Sequence, residues 1–125
     1  MSCFVIIPRN IYNDGIYAIT EYIENAMGDV RYDYYVIGGR YNGIFKVKSD
    51  NDENDSFDDY DDNLGDNCIS VVELLNLYEN NHLKFHTELV TSDGQYHEHL
   101  ATRDKFMNLV KKEIDNYVVC IDYHF

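Results

Sequence analysis

Residues 38–43 read Gly-Gly-Arg-Tyr-Asn-Gly, a combination suited to holding an anion. Glycines let backbone amides approach a phosphate or carboxylate closely, and an arginine adds a planar fork of two donors. Gly38, Gly39, Arg40 and Tyr41 are therefore candidate anion-binding residues. The same residues equally suit a tight bulge in which Arg40 pairs with one of the chain's own carboxylates. No Lys-Ser or Lys-Thr follows the glycines, and no strand–GxGxxG–helix context surrounds them, so phosphate-loop and dinucleotide fingerprints are both missing.

A second group is built on histidine. His97-Glu98-His99 places two imidazoles on one face if the segment is a strand. His86 on a partner strand, with Asp122 or His124 nearby, would complete a zinc or manganese site. An exposed polar hairpin carries the same pattern, and no metal or other cofactor is expected. Asp122 and His124 would supply an acid and a base if they faced Arg40 and His97, which is the chemistry of nucleotide binding or cleavage. The chain has no GxSxG, HExxH or kinase signature, and Cys3, Cys68 and Cys120 stand in no nucleophile motif. No residue is assigned a catalytic role, and binding is expected ahead of catalysis.

The third group is acidic. Asp50, Asp52, Glu53, Asp55, Asp58, Asp59, Asp61, Asp62 and Asp66 crowd into residues 49–67 with no Lys or Arg among them, interleaved with Phe57 and Tyr60. The start resembles a calcium loop, but the glycine and the closing glutamate do not fall where an EF-hand needs them. Two readings stay open. One is a docking loop that offers carboxylates to a basic groove and anchors itself with an aromatic, which makes Asp50 through Asp62 with Phe57 and Tyr60 the candidate partner-binding residues. The other is a low-complexity insertion.

The whole chain sets limits on these readings. Its 125 residues make one domain, residues 1–125, with an acidic surface loop at about 49–67. Apolar residues are 45% of the composition, enough for a packed core and against global disorder. The net charge of −13 repels nucleic-acid phosphates and anionic lipid, so neither nucleic acid nor a membrane is an expected partner. A protein with a basic, nucleic-acid-binding surface is. The three scattered cysteines form no CxxC pair and read as reduced thiols. Residues 3–7 are too short for a signal core, and no segment reaches membrane-spanning length, which points to the cytoplasm.

The elements that must position these groups are legible from periodicity. Residues 3–8 are a continuous apolar run closed by Pro8, the pattern of a central strand. Ile16, Ile19, Tyr22, Ile23 and Ala26 recur at helical spacing until Gly28. Residues 32–48 read as a hairpin or strongly bent strand pair broken by glycines. Ser70 caps a second helix that runs to Asn80-Asn81, and a hairpin turning at Asp93-Gly94 follows. Thr102 caps a third helix, and residues 117–125 close the chain as an apolar strand. The expected fold is α+β: a single mostly antiparallel sheet covered by about three helices in a two-layer arrangement.

The segments YDYYVIGGRYNGIF, TSDGQYHEH and VVCIDYHF, in that order, resemble a family of small uncharacterised proteins of phages and bacteria. The fitting positions are Tyr35, Gly38, Gly39, Arg40, Tyr41, Gly43, Asp93, Gly94, Tyr96, Glu98, Asp122 and His124. The chain departs from the family in carrying Tyr where Trp is usual and in its acidic stretch. The resemblance implies a shared core fold and a phage-like accessory protein, working in the host cytoplasm. By class it implies an anti-CRISPR-type or other anti-defence inhibitor.

Overall fold

The computed structural model describes residues 2–28, 34–41, 43–45, 64–83, 88–98 and 100–124. Two long apolar strands form its centre: β1 (Ser2–Ile7) and β6 (Tyr117–His124) pair antiparallel, with Phe4 opposite Cys120. Cys3 to Ile7 and Val118 to Ile121 are completely buried. Successive rather than alternating burial means that both faces of these strands are covered.

The other strands flank this pair. On the far side of β1 lies β4 (Leu89–Val90), which runs parallel to it, and beyond β4 lies β5 (Tyr96–His97). The far side of β6 is shared by β2 (Tyr34–Ile37) and β3 (Cys68–Ser70), both antiparallel to it. The sheet is thus antiparallel throughout except at β1–β4, as the sequence suggested, and the interior placement of both apolar runs agrees as well.

Helices lie against both faces. On one side α1 (Arg9–Asp14) and α2 (Ile16–Ala26) cover Cys3, Val5, Val119, Ile121 and Tyr123, with Ile19, Ile23 and Met27 driven into the sheet. On the other, α3 (Val71–Glu79) and α4 (Arg103–Lys111) cover Phe4, Ile6, Val118 and Cys120 with Leu74, Tyr78, Phe106 and Val110. The α+β class holds. The expected two-layer arrangement does not: a sheet whose central strands are apolar on consecutive residues needs cover on each side, and the result is three layers. The first helix expected from the periodicity is α2, and nothing in the periodicity announced the short α1 before it, which Gly15 at φ 101° separates from α2.

Local chemistry explains the helix starts. The Ser70 hydroxyl accepts from the Glu73 amide and donates to the Glu73 carboxylate, a reciprocal cap on α3. Thr102 accepts from the Lys105 amide at the start of α4. The turn between β4 and β5 is held by Asp93, which accepts from the Thr91 hydroxyl and from the Gln95 amide.

The expected hairpin over residues 32–48 is not what the described part forms. β2 pairs with β6 instead, and Gly38 and Gly39, at φ 75° and 53°, turn the chain out of the sheet into a 3-10 turn, Gly39–Tyr41. β3 then resumes where β2 stopped. Ile37 lies opposite Ile121, the Gly38 amide donates to the Cys120 carbonyl at 2.9 Å, and Cys68 lies opposite Val119. β2 and β3 are therefore two pieces of one edge strand, and residues 39–67 are an excursion out of its middle.

Candidate functional site

The excursion begins with the glycine–arginine turn. Arg40 Nε donates to Asp122 Oδ2 at 3.0 Å, Nη2 to Oδ1 at 3.2 Å, and the Arg40 amide to Oδ2 at 3.2 Å. This fork-to-fork pair brings together two of the residues singled out in the sequence. Partial burial pushes the Asp122 carboxyl upward, but the Arg40 side chain and amide outweigh it and hold the carboxyl down at about 2. Asp122 is thus ionised at any physiological pH and is a poor proton acceptor.

The close packing explains the glycines. A Cβ on Gly39 would stand 2.7 Å from Asp122 Cβ and from Val36 Cγ2, and one on Gly38 would meet the Asn67 carboxamide at 2.6 Å. A side chain at either position would force its neighbours to shift, Asp122 and Val36 at Gly39 and the Asn67 carboxamide at Gly38. Four backbone donors of the turn are taken up within the fold: Gly38 by Cys120, Arg40 by Asp122, Tyr41 by the Gly38 carbonyl, and Gly43 by Asn67 Oδ1 at 3.1 Å. Arg40 is paired with a carboxylate of the chain itself, Asp122, at this turn.

Asn67 is the residue that sequence reasoning missed. It sits at the end of the 3-10 turn Gly65–Asn67, is 2% exposed, and ties the exit of the excursion to its entry through Gly43. Phe45, packed beside Phe4 in the core at 5.2 Å between ring centroids, anchors the other end. The acidic loop expected at 49–67 therefore overran into the folded body by its last residues. Asp50, Asp52, Glu53, Asp55, Phe57, Asp58, Asp59, Tyr60, Asp61 and Asp62 lie outside the described residues.

Among the described residues the histidines do not gather. His97 is on β5 with its Nε2 3.4 Å from the Thr91 hydroxyl, three strands from Asp122 on β6, or about 14 Å by strand spacing alone. His124 stacks on Tyr34 instead, with centroids 5.3 Å apart and planes 9° from parallel. His86 and His99 lie outside the described residues. Among the described residues no three His, Cys, Asp or Glu side chains stand close enough to hold a metal ion.

No protein-family model matches the chain, and neither a curated protein nor a solved structure proves similar to it. Its own residues have to carry any functional reading. No helix of the described residues is long and apolar enough to cross a membrane. All three cysteines are free, and burial pushes the Cys68 and Cys120 thiols up to about 12 and Cys3 higher still, so none is an activated nucleophile.

One polar group lies inside the fold without any signal in the sequence. Glu88, 8% exposed, accepts from the Tyr123 hydroxyl at 2.7 Å, and Tyr123 is 3.3 Å from the Tyr96 hydroxyl. Burial, together with its neighbours Tyr96 and Glu88, pushes the Tyr123 hydroxyl far above its ordinary value, and Tyr96 is pushed up to about 12. The cluster joins β4, β5 and β6 and holds the sheet's far side to its centre.

Proposed function

We propose that the protein is a phage-like anti-defence accessory protein. It would bind and inhibit a host nucleic-acid-binding defence protein, in the manner of an anti-CRISPR protein that mimics nucleic acid. Asp50, Asp52, Glu53, Asp55, Asp58, Asp59, Asp61 and Asp62 are its principal charge source, with Phe57 and Tyr60 as apolar anchors. The observation that carries this reading is the Asn67–Gly43 bridge. It holds together the two described ends of the excursion that interrupts a single edge strand, and the most acidic part of the chain lies between those ends in sequence. Like charges so concentrated repel one another and contribute little to folding, which favours an intermolecular use. Long-range attraction would give fast, salt-sensitive association with a positively charged channel.

The rival reading is a nucleotide- or phosphate-binding domain built on Gly38-Gly39-Arg40 with His97, Asp122 or His124 as acid or base. The engagement of Arg40 by Asp122 and the separation of His97 weigh against it.

A pull-down from host lysate at low and high salt, followed by titration of the recovered protein, tests the proposal. Replacing Asp58, Asp59, Asp61 and Asp62 together by Asn is expected to weaken binding roughly a hundredfold at low salt. Equal affinity and equal salt dependence for both proteins would refute it, and a loss confined to Arg40→Ala would favour the rival.

A further inference from the structure

Tyr34 is the first residue of β2, opposite His124 of β6, and is 58% exposed. One side of its ring is backed by the imidazole of His124. Cys120, Asp122 and His124 share one face of β6. Cys120 is buried beneath α3 and α4, Asp122 carries Arg40, and His124 is exposed. Among the described residues this end of the face holds an aromatic pair and a cation, with no helix over it.

We infer that the ring of Tyr34, braced by His124, is a seat for an arginine side chain of a basic protein partner, an inference that rests on the acidic-docking reading above. Three features select that occupant. The ring is already held by its stacking partner, so little side-chain freedom is lost when a second planar group lies on it. Asp122 neutralises Arg40 through both Nε and Nη2, so the resident cation does not repel a second guanidinium as an unpaired one would. The field of a net charge of −13 attracts cations to the chain as a whole.

A nucleobase would stack on tyrosine equally well, but it arrives with phosphates that this field repels. Arginine is favoured over lysine because its guanidinium is flat and weakly hydrated, and so keeps contact with a ring face.

The test uses the full chain with three probes: an arginine-rich peptide, a lysine-rich peptide of equal length and charge, and a single-stranded DNA of similar length. Tyr34→Ala is expected to weaken binding of the arginine peptide roughly three- to thirtyfold, while Tyr34→Phe retains it and the lysine peptide changes little. In the unmodified protein the ring resonances of Tyr34 and His124 should shift with the arginine peptide, a readout that needs no variant to fold. The fourfold Asp→Asn protein, run in parallel, separates the two ideas. If it loses both peptides while Tyr34→Ala binds the arginine peptide normally, the seat is refuted and the acidic reading stands. If neither protein differs from the parent, both fall. Saturable DNA binding that depends on Tyr34 would overturn the inference in favour of base stacking.

Discussion

The amide of Gly43 donates to the side-chain oxygen of Asn67 at 3.1 Å, joining two residues that are 24 apart in sequence. Between them runs the most acidic part of the chain. The bond makes the closure of that excursion a local property of its base rather than of its length.

Replacing residues 46–63 by a short Gly-Ser linker should therefore leave the fold intact. The thermal midpoint is expected to stay the same or to rise as repulsion among the carboxylates is relieved. Circular dichroism and a melting curve check this, and a collapse of cooperativity would show that the excised residues belong to the core. Asn67→Ala in the full chain should cost about 1–3 kcal/mol by denaturant unfolding, because the bridge is lost and Gly38 loses the side chain packed on it.

Asp122 gives a pH-dependent prediction. Its folded-state value is depressed to about 2, so its contribution is complete above the ordinary carboxylate range and is lost as pH falls through about 2. Asp122→Asn should cost about 1–2 kcal/mol at neutral pH, the charge-assisted value reduced because Arg40 is 69% exposed. The gap between variant and parent should narrow as pH drops from about 4 toward 2. A gap that stays constant over that interval would show that the pair does not act through charge.

The glycines should rank by what surrounds them. Gly39→Ala meets both a φ of 53° and contacts at 2.7 Å, whereas Gly43→Ala meets a φ of 79° and open space. Gly43→Ala is expected to cost about 1–2 kcal/mol from the left-handed backbone alone. Gly39→Ala should cost clearly more, since the Asp122 side chain must also move. Equal midpoints in urea for the two variants would contradict the packing described at the turn.

Tyr123→Phe removes the hydroxyl that Glu88 accepts from and should destabilise the protein by about 1–3 kcal/mol. Tyr123→Phe combined with Glu88→Leu should cost less than the two changes taken separately, because no buried carboxylate is then left without a donor. Strict additivity would mean that the two groups are not coupled.

Much of the fold was legible because periodicity and capping act locally. The Ser70 and Thr102 caps, the Asp93-Gly94 turn and the burial of both apolar strands all follow from short stretches of sequence. The pairing of β2 with β6 was not legible, since nothing near Tyr34 specifies a partner more than eighty residues away. The third layer was within reach: residues 3–7 and 118–121 are apolar on every position, and that pattern implies two covered faces. At the site, Arg40 and Asp122 were both singled out, but their mutual engagement depends on the sheet register and on Gly39. Asn67 left no signal because its role lies in one side-chain contact at the end of a polar run, where an asparagine looks like solvent-facing filler.

The pairing of β1 with β6 also bears on how the chain is made. Residues 2–7 form their antiparallel ladder with residues 117–124, so a strand that is fully apolar from Cys3 to Ile7 emerges early in synthesis and waits for its partner. Its parallel neighbour β4 arrives sooner but supplies only two residues. Until β6 is translated the central sheet cannot close, so this ladder forms only after the residues between the two strands have been made. During that interval the apolar strand β1 lacks its long partner and is prone to aggregate. The strong negative charge added midway through translation would then keep unfinished chains apart before it serves any partner.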